Sequence, residues 1–200
     1  MYRRFGKRLF DLFFSLLGII VCLPVFFFVP ILIKIDSRGP VFFKQKRMGK
    51  GGILFELIKF RTMFSDSAGE KLMFEPGRKS RVTKIGRFLR FSKIDEFPQL
   101  INVLKGEMSF VGPRPEVPKY QQFYTGDNSL VLMVRPGITD MASVKYRHEE
   151  ELLARNPEPE KLYTEVILPD KLRINKDYIN NRLGLFDDFV IILRTLLKIK

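Results

Sequence analysis

The sequence has few of the side chains on which many enzymes depend. It holds a single cysteine, Cys22, and a single histidine, His148. A zinc site, a Cys–His pair or a Ser–His–Asp triad would each need residues that this chain barely possesses, and a disulfide within the chain is excluded. Catalysis would therefore have to use carboxylates, cationic side chains and an oxygen-liganded metal.

Internal repeats and low-complexity tracts are also absent, which excludes solenoids and propellers. The 200 residues, 46% of them hydrophobic, suit one compact domain with an attached segment. Acidic residues are in the minority, with 22 Asp and Glu against 35 Lys and Arg, so the net charge is +13. Such a surface favours an anionic partner: nucleic acid, an acidic membrane leaflet or a phosphorylated substrate.

Residues 12–33 form an uncharged apolar run, long enough as a helix to cross a hydrocarbon core of about 30 Å. Pro24 lies near its middle and Pro30 adds a second predicted break. Both flanks are basic, so both ends are expected on the cytoplasmic side. The basic flanking residues are Arg3, Arg4, Lys7 and Arg8 before the run and Lys34, Arg38, Lys44, Lys46 and Arg47 after it. The pattern favours a re-entrant helix broken at Pro24 over a kinked transmembrane helix, and favours both over a buried core helix.

The rest of the chain predicts an α/β domain with a small sheet and amphipathic helices on the membrane surface. Apolar runs at residues 40–45 and 53–60, divided by glycines, predict a β-hairpin. Residues 81–90 combine cations with apolar side chains at helical spacing, as in a helix at a lipid surface. Three further segments are predicted as a polar loop, an exposed acidic helix and loop, and an apolar C-terminal helix: residues 65–80, 149–160 and 186–197.

An adjacent acid pair, Asp95 and Glu96, is the most informative feature of the chain. Pro98 is tolerated only in a first helical turn, which predicts a helix that begins near Asp95, and Gly106 is expected to end it. Asp95 as a helix cap is the simplest interpretation.

Three cations favour a second interpretation of Asp95. Arg87, Arg90 and Lys93 crowd the same turn, where they could hold a phosphate beside an ionised carboxylate with help from the N–H groups of the helix start. The two acids also offer oxygen ligands for Mg²⁺, which could bridge them to a diphosphate.

Two arginines lie next to rigid turns further along the chain. Arg114 stands between Pro113 and Pro115, and Arg135 precedes a Pro-Gly turn. Each motif alone is most simply a turn, but both could present a guanidinium group with little ordering cost. Their combination with the acid pair is more specific than either motif.

Several blocks together resemble the bacterial sugar transferase family, the small monotopic phosphoglycosyl transferases that begin lipid-linked glycan assembly. The resemblance runs nearly from end to end and is most specific between residues 95 and 115. The blocks are the basic start with the apolar segment broken at Pro24, KFRTM from Lys59, DEFPQLINVLKGEMSFVGPRP from Asp95, RPGIT from Arg135 and DFVIILRT from Asp188.

The resemblance implies a covalent mechanism at the cytoplasmic face of the bacterial inner (plasma) membrane. Asp95 would attack the β-phosphate of a UDP-sugar, expel UMP and form an aspartyl phosphosugar that polyprenyl (undecaprenyl) phosphate then captures. Glu96 would assist at an Mg²⁺ site shared with Asp95, or in proton handling of the acceptor phosphate. Residues 1–38 would be the basic flank and re-entrant membrane helix, and residues 39–200 the catalytic domain. Phosphate or nucleotide contacts are implied for Lys59, Arg61, Arg90, Arg114, Arg135 and Arg147.

The chain departs from the family pattern at a few positions. Leu23 stands where a serine often precedes the membrane proline, Asp140 follows RPGIT where a glycine is usual, and Ser143 replaces a common glutamine. Gly184 stands where serine is frequent. The loop at Asp140 is therefore a candidate for different sugar selection or altered activity.

Two other functions are compatible with parts of the sequence. A catalytically silent homologue could serve as a membrane scaffold for glycan enzymes, although retention of both acids with Arg90 and Arg114 disfavours it. A membrane-tethered nucleic-acid binder would fit the charge, but the arginines cluster around acids that repel a phosphodiester backbone. No nucleic acid is therefore expected as a partner. The oligomeric state stays open, with a homo-oligomer allowed.

Overall fold

The computed structural model describes residues 6–65, 82–181 and 184–197. Their fold is mixed α/β, mostly helical, with two small sheets. Most of the predicted loop at residues 65–80, together with Arg81, lies outside the described residues. The helices are α1 Lys7–Val21, α2 Leu23–Asp36, α3 Lys84–Ser92, α4 Gln99–Lys105, α5 Met141–Lys145, α6 Glu149–Arg155, α7 Pro159–Leu162, α8 Leu168–Asn181 and α9 Leu185–Leu197, and the strands are β1 Phe42–Met48, β2 Leu54–Phe60, β3 Ser109–Val111 and β4 Gly137–Thr139.

The apolar run forms two helices, α1 and α2, that meet at an angle of 58°. The break lies at Cys22 rather than at Pro24. Pro24 stands in the first turn of α2, where its missing N–H leaves no hydrogen bond of the helix unmade. The predicted second break at Pro30 is wrong. Pro30 lies inside α2, which loses one internal hydrogen bond there without ending. In the described part of the chain no single helix is long and apolar enough to cross a membrane, whereas the bent pair is by length and composition.

One side of α2 packs on the domain while much of the pair is exposed. Val29 and Ile33 are buried against Phe60 of β2 and Leu89 of α3. The large apolar side chains that remain exposed extend along both helices, and a continuous patch of this kind typically marks a lipid or protein contact surface. They include Phe13, Leu16, Leu17, Ile20, Val21, Leu23, Phe27, Phe28, Ile31 and Leu32.

The first turns of α1 are fastened to the domain by polar contacts. Arg8 donates to the carbonyls of Val103 and Leu104, at 2.6 and 2.9 Å, at the carboxyl end of α4. The buried carboxylate of Asp11 accepts from Ser109 Oγ at 2.9 Å. The amino end of α1 is therefore fixed to α4 and to the neighbouring strand β3.

The predicted hairpin is confirmed: β1 and β2 pair antiparallel, with Phe42 opposite Phe60 and Met48 opposite Leu54. Asn102 of α4, fully buried, joins this hairpin to the helix that follows the acid pair. Its Oδ1 accepts from Ile58 N at 3.1 Å and its Nδ2 donates to Glu56 O at 2.7 Å. The second sheet is a short parallel pair, β3 and β4.

The larger hydrophobic core includes Val111 of β3. It includes buried side chains of α8, such as Leu172 and Tyr178, and Ile191 of α9. The predicted C-terminal helix at residues 186–197 and the predicted helix at residues 149–160 are confirmed as α9 and α6, the latter followed by a short loop.

Candidate active site

Asp95 lies in a tight turn between α3 and α4. Lys93 ends α3 with a left-handed backbone, φ 61°, and Ile94–Glu96 form a single 3₁₀ turn. The predicted helix start at Asp95 is therefore wrong. Pro98 has no N–H to donate to the carbonyl of Ile94, which instead accepts from Phe97 N at 3.1 Å, and α4 begins only after Pro98. One 3₁₀ turn is too short for the helix-dipole argument, so any phosphate site here must depend on side-chain charges.

Asp95 is 7% exposed, and its Oδ1 atom has no hydrogen-bond partner among the residues that the structure describes. Burial raises the pKa of Asp95, while the positive charge of Lys59 lowers it, the negative charge of Glu96 raises it, and Lys93 and Arg90 lower it further. The site thus combines a desolvated carboxylate with three nearby cations. Such a group has an unused electron pair and a positive surrounding suited to an anionic substrate.

Glu96 has a different environment from its neighbour. Its Oε1 accepts from Lys59 Nζ at 2.7 Å and from Arg114 Nη2 at 3.0 Å. Burial disfavours its ionisation, but the charges of Arg114 and Lys59 outweigh that effect and hold the pKa of Glu96 well below its usual range. Burial lowers the pKa of Lys59 and Glu96 opposes the shift. Glu96 is therefore a permanently ionised anchor for two cations.

The segment that carries Arg114, residues 112–117, is held closely by its neighbours; we call it the Arg114 strap. Gly112 N donates to Thr139 O at 3.1 Å and Gly137 N donates to Pro113 O at 3.0 Å. A Cβ on Gly112 would lie 2.5 Å from the carbonyl oxygen of Arg135, so only glycine fits this crossing of the two chains. Arg114 is thereby brought to Glu96 from a fixed backbone.

Of the predicted phosphate-binding cations, three lie beside the acid pair. Lys59 and Arg114 contact Glu96, and Arg90, near enough to Asp95 to lower its pKa, donates from Nε to Thr62 Oγ1 at 3.0 Å. The structure thus brings together predicted residues that lie far apart in the chain, and their contact with a substrate stays a prediction.

The other three predicted arginines make contacts elsewhere in the protein. Arg61 donates to the carbonyls of Ser37 and Arg38, both at 2.7 Å, after the end of α2. Arg135 Nε donates to Gly106 O at 2.8 Å, and Arg147 Nη2 lies 3.4 Å from the carbonyl of Arg194. For these side chains a substrate contact stays a prediction.

Two buried amides near the acids were missed by sequence reasoning. Asn102 links α4 to β2, and Gln99, 1% exposed, has an Nε2 atom without a hydrogen-bond partner within residues 6–65, 82–181 and 184–197. Both lie in an otherwise apolar helical stripe, and a polar side chain on such a stripe is the signal that could have identified them.

The carboxylates fit magnesium in part. Within the described ranges no three Asp, Glu, His or Cys side chains cluster as a complete metal site. Mg²⁺, however, commonly takes one or two carboxylates and completes its shell with water and substrate phosphates. The unpartnered oxygen of Asp95, next in sequence to Glu96, is compatible with that pattern.

Comparison with known proteins identifies the class. The model of the family described as bacterial sugar transferase matches residues 2–200, and the chain belongs to that family. It is 37% identical over 142 residues to the UDP-glucose:undecaprenyl-phosphate glucose-1-phosphate transferase of Caulobacter vibrioides, covering 70% of this chain and 53% of the relative.

Two further relatives carry related names. An undecaprenyl-phosphate glucose phosphotransferase of Komagataeibacter xylinus is 43% identical over 145 residues, or 69% of this chain and 27% of the relative. A UDP-N-acetylgalactosamine-undecaprenyl-phosphate N-acetylgalactosaminephosphotransferase of Aeromonas hydrophila is 38% identical over 143 residues, or 70% and 34%. The chain thus matches between about a quarter and a half of the length of these three proteins.

Proposed function

We propose that this protein is a transferase that moves a sugar-1-phosphate from a UDP-sugar to polyprenyl phosphate, most simply undecaprenyl phosphate, and releases UMP. The named activities of the relatives support the reaction class. The observation that carries the proposal is the buried Asp95 carboxylate, which has one oxygen without a partner in the described part of the chain and whose pKa is raised by burial and lowered by the charges of Lys59, Arg90 and Lys93. The product would begin the membrane stage of glycoconjugate or polysaccharide assembly.

In the proposed first step, a carboxylate oxygen of Asp95 forms a bond to the phosphorus that carries the sugar. The bond from that phosphorus to the bridging oxygen breaks, and UMP leaves with the electron pair. In the second step a phosphate oxygen of the polyprenyl phosphate attacks the same phosphorus and displaces Asp95. The lipid leaves as a diphosphate-linked sugar and the carboxylate is restored.

The cations beside the acids have separate tasks in this scheme. Arg90 and Lys93, whose positive charges lower the pKa of Asp95, would hold the diphosphate while negative charge moves onto the leaving UMP. Glu96 keeps Lys59 and Arg114 in place. Because these two cations lower its pKa, Glu96 is a poor proton acceptor, which favours the predicted role at the Mg²⁺ site over proton handling of the acceptor phosphate. Asp95 and Glu96 would hold Mg²⁺, which when bound would neutralise charge on the diphosphate oxygens.

The bent helix pair gives the proposed reaction its location. We propose that α1 and α2 form a re-entrant element in the cytoplasmic leaflet of the inner membrane, with residues 39–200 as the catalytic domain above it. The exposed apolar surface of both helices and the basic residues on both flanks support this arrangement. Exposed Phe88 and Phe91 on the basic helix α3 support a second membrane contact.

Mass spectrometry after incubation with a panel of UDP-sugars and Mg²⁺ tests the proposal. A phosphosugar adduct on the peptide that contains Asp95 is expected, with UMP released in equal amount, and the donor that forms it names the sugar. Asp95→Asn should abolish the adduct, whereas Asp127→Asn, which changes an exposed carboxylate, should retain it. A folded protein that releases no UMP from any donor would contradict the proposal and favour a membrane scaffold.

A further inference from the structure

We propose that Asp140 is a positioning residue for Arg114: its buried carboxylate fixes the backbone of the Arg114 strap and thereby aims the guanidinium at Glu96. The effect on turnover rests on the proposed function. The effect on the backbone does not.

Asp140 uses both oxygens on backbone N–H groups. Oδ2 accepts from Arg114 N at 2.8 Å, and Oδ1 accepts from Ser143 N at 2.5 Å, which caps the amino end of α5. The residue is 2% exposed. Hydrogen bonds from N–H groups to a buried carboxylate are about twice as strong as neutral ones, so this side chain holds two segments together.

The amide of Arg114 is a special point on the strap. Pro113 and Pro115 have no N–H, so Arg114 carries the only backbone donor among these three residues. Their carbonyls are already held, because Pro113 O accepts from Gly137 N at 3.0 Å and Pro115 O accepts from Arg47 Nη1 at 3.1 Å. The bond to Asp140 therefore fixes the one backbone N–H of these three residues, at the residue whose side chain reaches Glu96.

Position 140 is well placed for this task. It directly follows β4, whose parallel pairing with β3 puts Thr139 beside Val111 and brings the strap past the start of α5. The carboxylate also adds to the charges that raise the pKa of Arg114, after the larger contribution of Glu96. A departure from the family pattern thus has a structural task in this chain.

Hydrogen exchange at the Arg114 amide tests the backbone part of the proposal. Asp140→Ser keeps a helix cap but is too short to span both N–H groups, so we expect the Arg114 amide to exchange at least about tenfold faster. Asp140→Asn retains one acceptor oxygen and should give an intermediate rate. Asn156→Ala, which removes the bond from Glu158 N to Asn156 Oδ1 far along the chain, is the matched control and should leave the rate unchanged. An unchanged rate in Asp140→Ser overturns the inference.

A double-mutant cycle tests whether Asp140 acts through Arg114. Asp140→Ser should lower kcat/KM for the UDP-sugar by about tenfold in the wild-type background and by less than about twofold in an Arg114→Lys background. Equal losses in both backgrounds would contradict the positioning role and assign Asp140 to stability alone. A folded wild type without turnover would refute the proposed function, and the exchange rate would then decide the inference by itself.

Discussion

Neutralising each of the two adjacent acids should shift stability in opposite directions at neutral pH. Asp95→Asn should stabilise the protein, because it removes a charge from a buried carboxylate whose Oδ1 atom has no partner. Glu96→Gln should destabilise it, because Lys59 and Arg114 would lose their common counter-charge. The two substituted residues are neighbours in the chain, yet their different environments give changes in the free energy of unfolding of opposite sign.

The gain at Asp95 is expected to be small. A buried acceptor without a partner costs about 1–3 kcal/mol, and the charges of Lys59, Lys93 and Arg90 already offset part of that cost. A net gain of about 1 kcal/mol in the free energy of unfolding would raise Tm by about 2–4 °C for a protein of this size. If Asp95 is the catalytic carboxylate, as proposed, wild type would give up this stability for activity.

The loss at Glu96 should be larger. Removing one partner of a fully buried ion pair costs about 3–5 kcal/mol. Here the exposed fractions of the side chains are 15% for Glu96, 19% for Lys59 and 41% for Arg114, so water screens part of the interaction. We expect about 2 kcal/mol, which corresponds to a fall in Tm of about 4–8 °C.

The pH dependence follows from the directions of the two pKa shifts. The pKa of Asp95 is raised, so the native state keeps its proton to a higher pH than the unfolded chain, and stability is lost as pH rises through that raised value. The higher Tm of Asp95→Asn relative to wild type should appear as pH rises through the raised pKa of Asp95 and should vanish at lower pH. The pKa of Glu96 is lowered, so its stabilising contribution exists above the ordinary glutamate value and is lost on acidification. The lower Tm of Glu96→Gln relative to wild type should therefore approach the wild-type Tm as the pH falls below the ordinary glutamate pKa.

Thermal unfolding of detergent-solubilised protein, from about pH 2 to about pH 8, would measure both effects, because the contribution of Glu96 is lost only below the ordinary glutamate pKa. Asp127→Asn, at an exposed position, controls for the general effect of losing one negative charge. The reasoning would be refuted if the variants at positions 95 and 96 shifted Tm in the same direction at neutral pH, or if their differences from wild type did not depend on pH.

Three more substitutions test other parts of the structure. Asn102→Ala leaves two backbone groups of β2 unpaired and should lower the free energy of unfolding by about 2–4 kcal/mol, measured by urea titration; a loss under about 0.5 kcal/mol would contradict the link to the hairpin. Phe91 is 80% exposed on α3, and Phe91→Glu should weaken binding to anionic vesicles several-fold in a flotation assay. The control Leu152→Glu, on α6, should leave binding unchanged. Equal binding by both variants would show that α3 does not contact the membrane. Gly112→Ala places a Cβ 2.5 Å from a carbonyl oxygen and should lower the free energy of unfolding by about 3 kcal/mol or more, measured as a fall in Tm. An unchanged Tm would show that the backbone of the Arg114 strap shifts to accommodate the methyl group.

Local sequence signals predicted the secondary structure well where they were strong. Glycines between two apolar runs identified the hairpin, and the uncharged run identified α1 and α2. The helix start at Asp95 was wrong, because Pro98 allows a 3₁₀ turn as well as the first turn of an α-helix, and sequence spacing does not separate them. The parallel pair β3 and β4 was not predicted, since strands of three residues are too short to show a period.

In the candidate site, too, contacts between residues close in the chain were easier to predict than contacts between distant residues. Arg90 and Lys93 were predicted beside Asp95 because they are close to it in the chain. The contacts of Glu96 with Lys59 and Arg114 cross 37 and 18 residues, and only the family resemblance anticipated them as one site. Arg61 and Arg135 show why an arginine count is a weak guide, because backbone carbonyls at element ends compete with phosphate for the same guanidinium groups.

The two hydrogen bonds from Arg8 to the carboxyl end of α4 have a consequence for chemistry at a lipid surface. These contacts and that of Asp11 join the first helix to α4 and β3, the segment that follows Asp95. If α1 and α2 lie in the leaflet as proposed, the depth of their insertion determines how far Asp95, the proposed nucleophile, lies from the acyl chains. A polyprenyl phosphate, which is confined to that plane by its tail, would then meet the reacting phosphorus without leaving the bilayer.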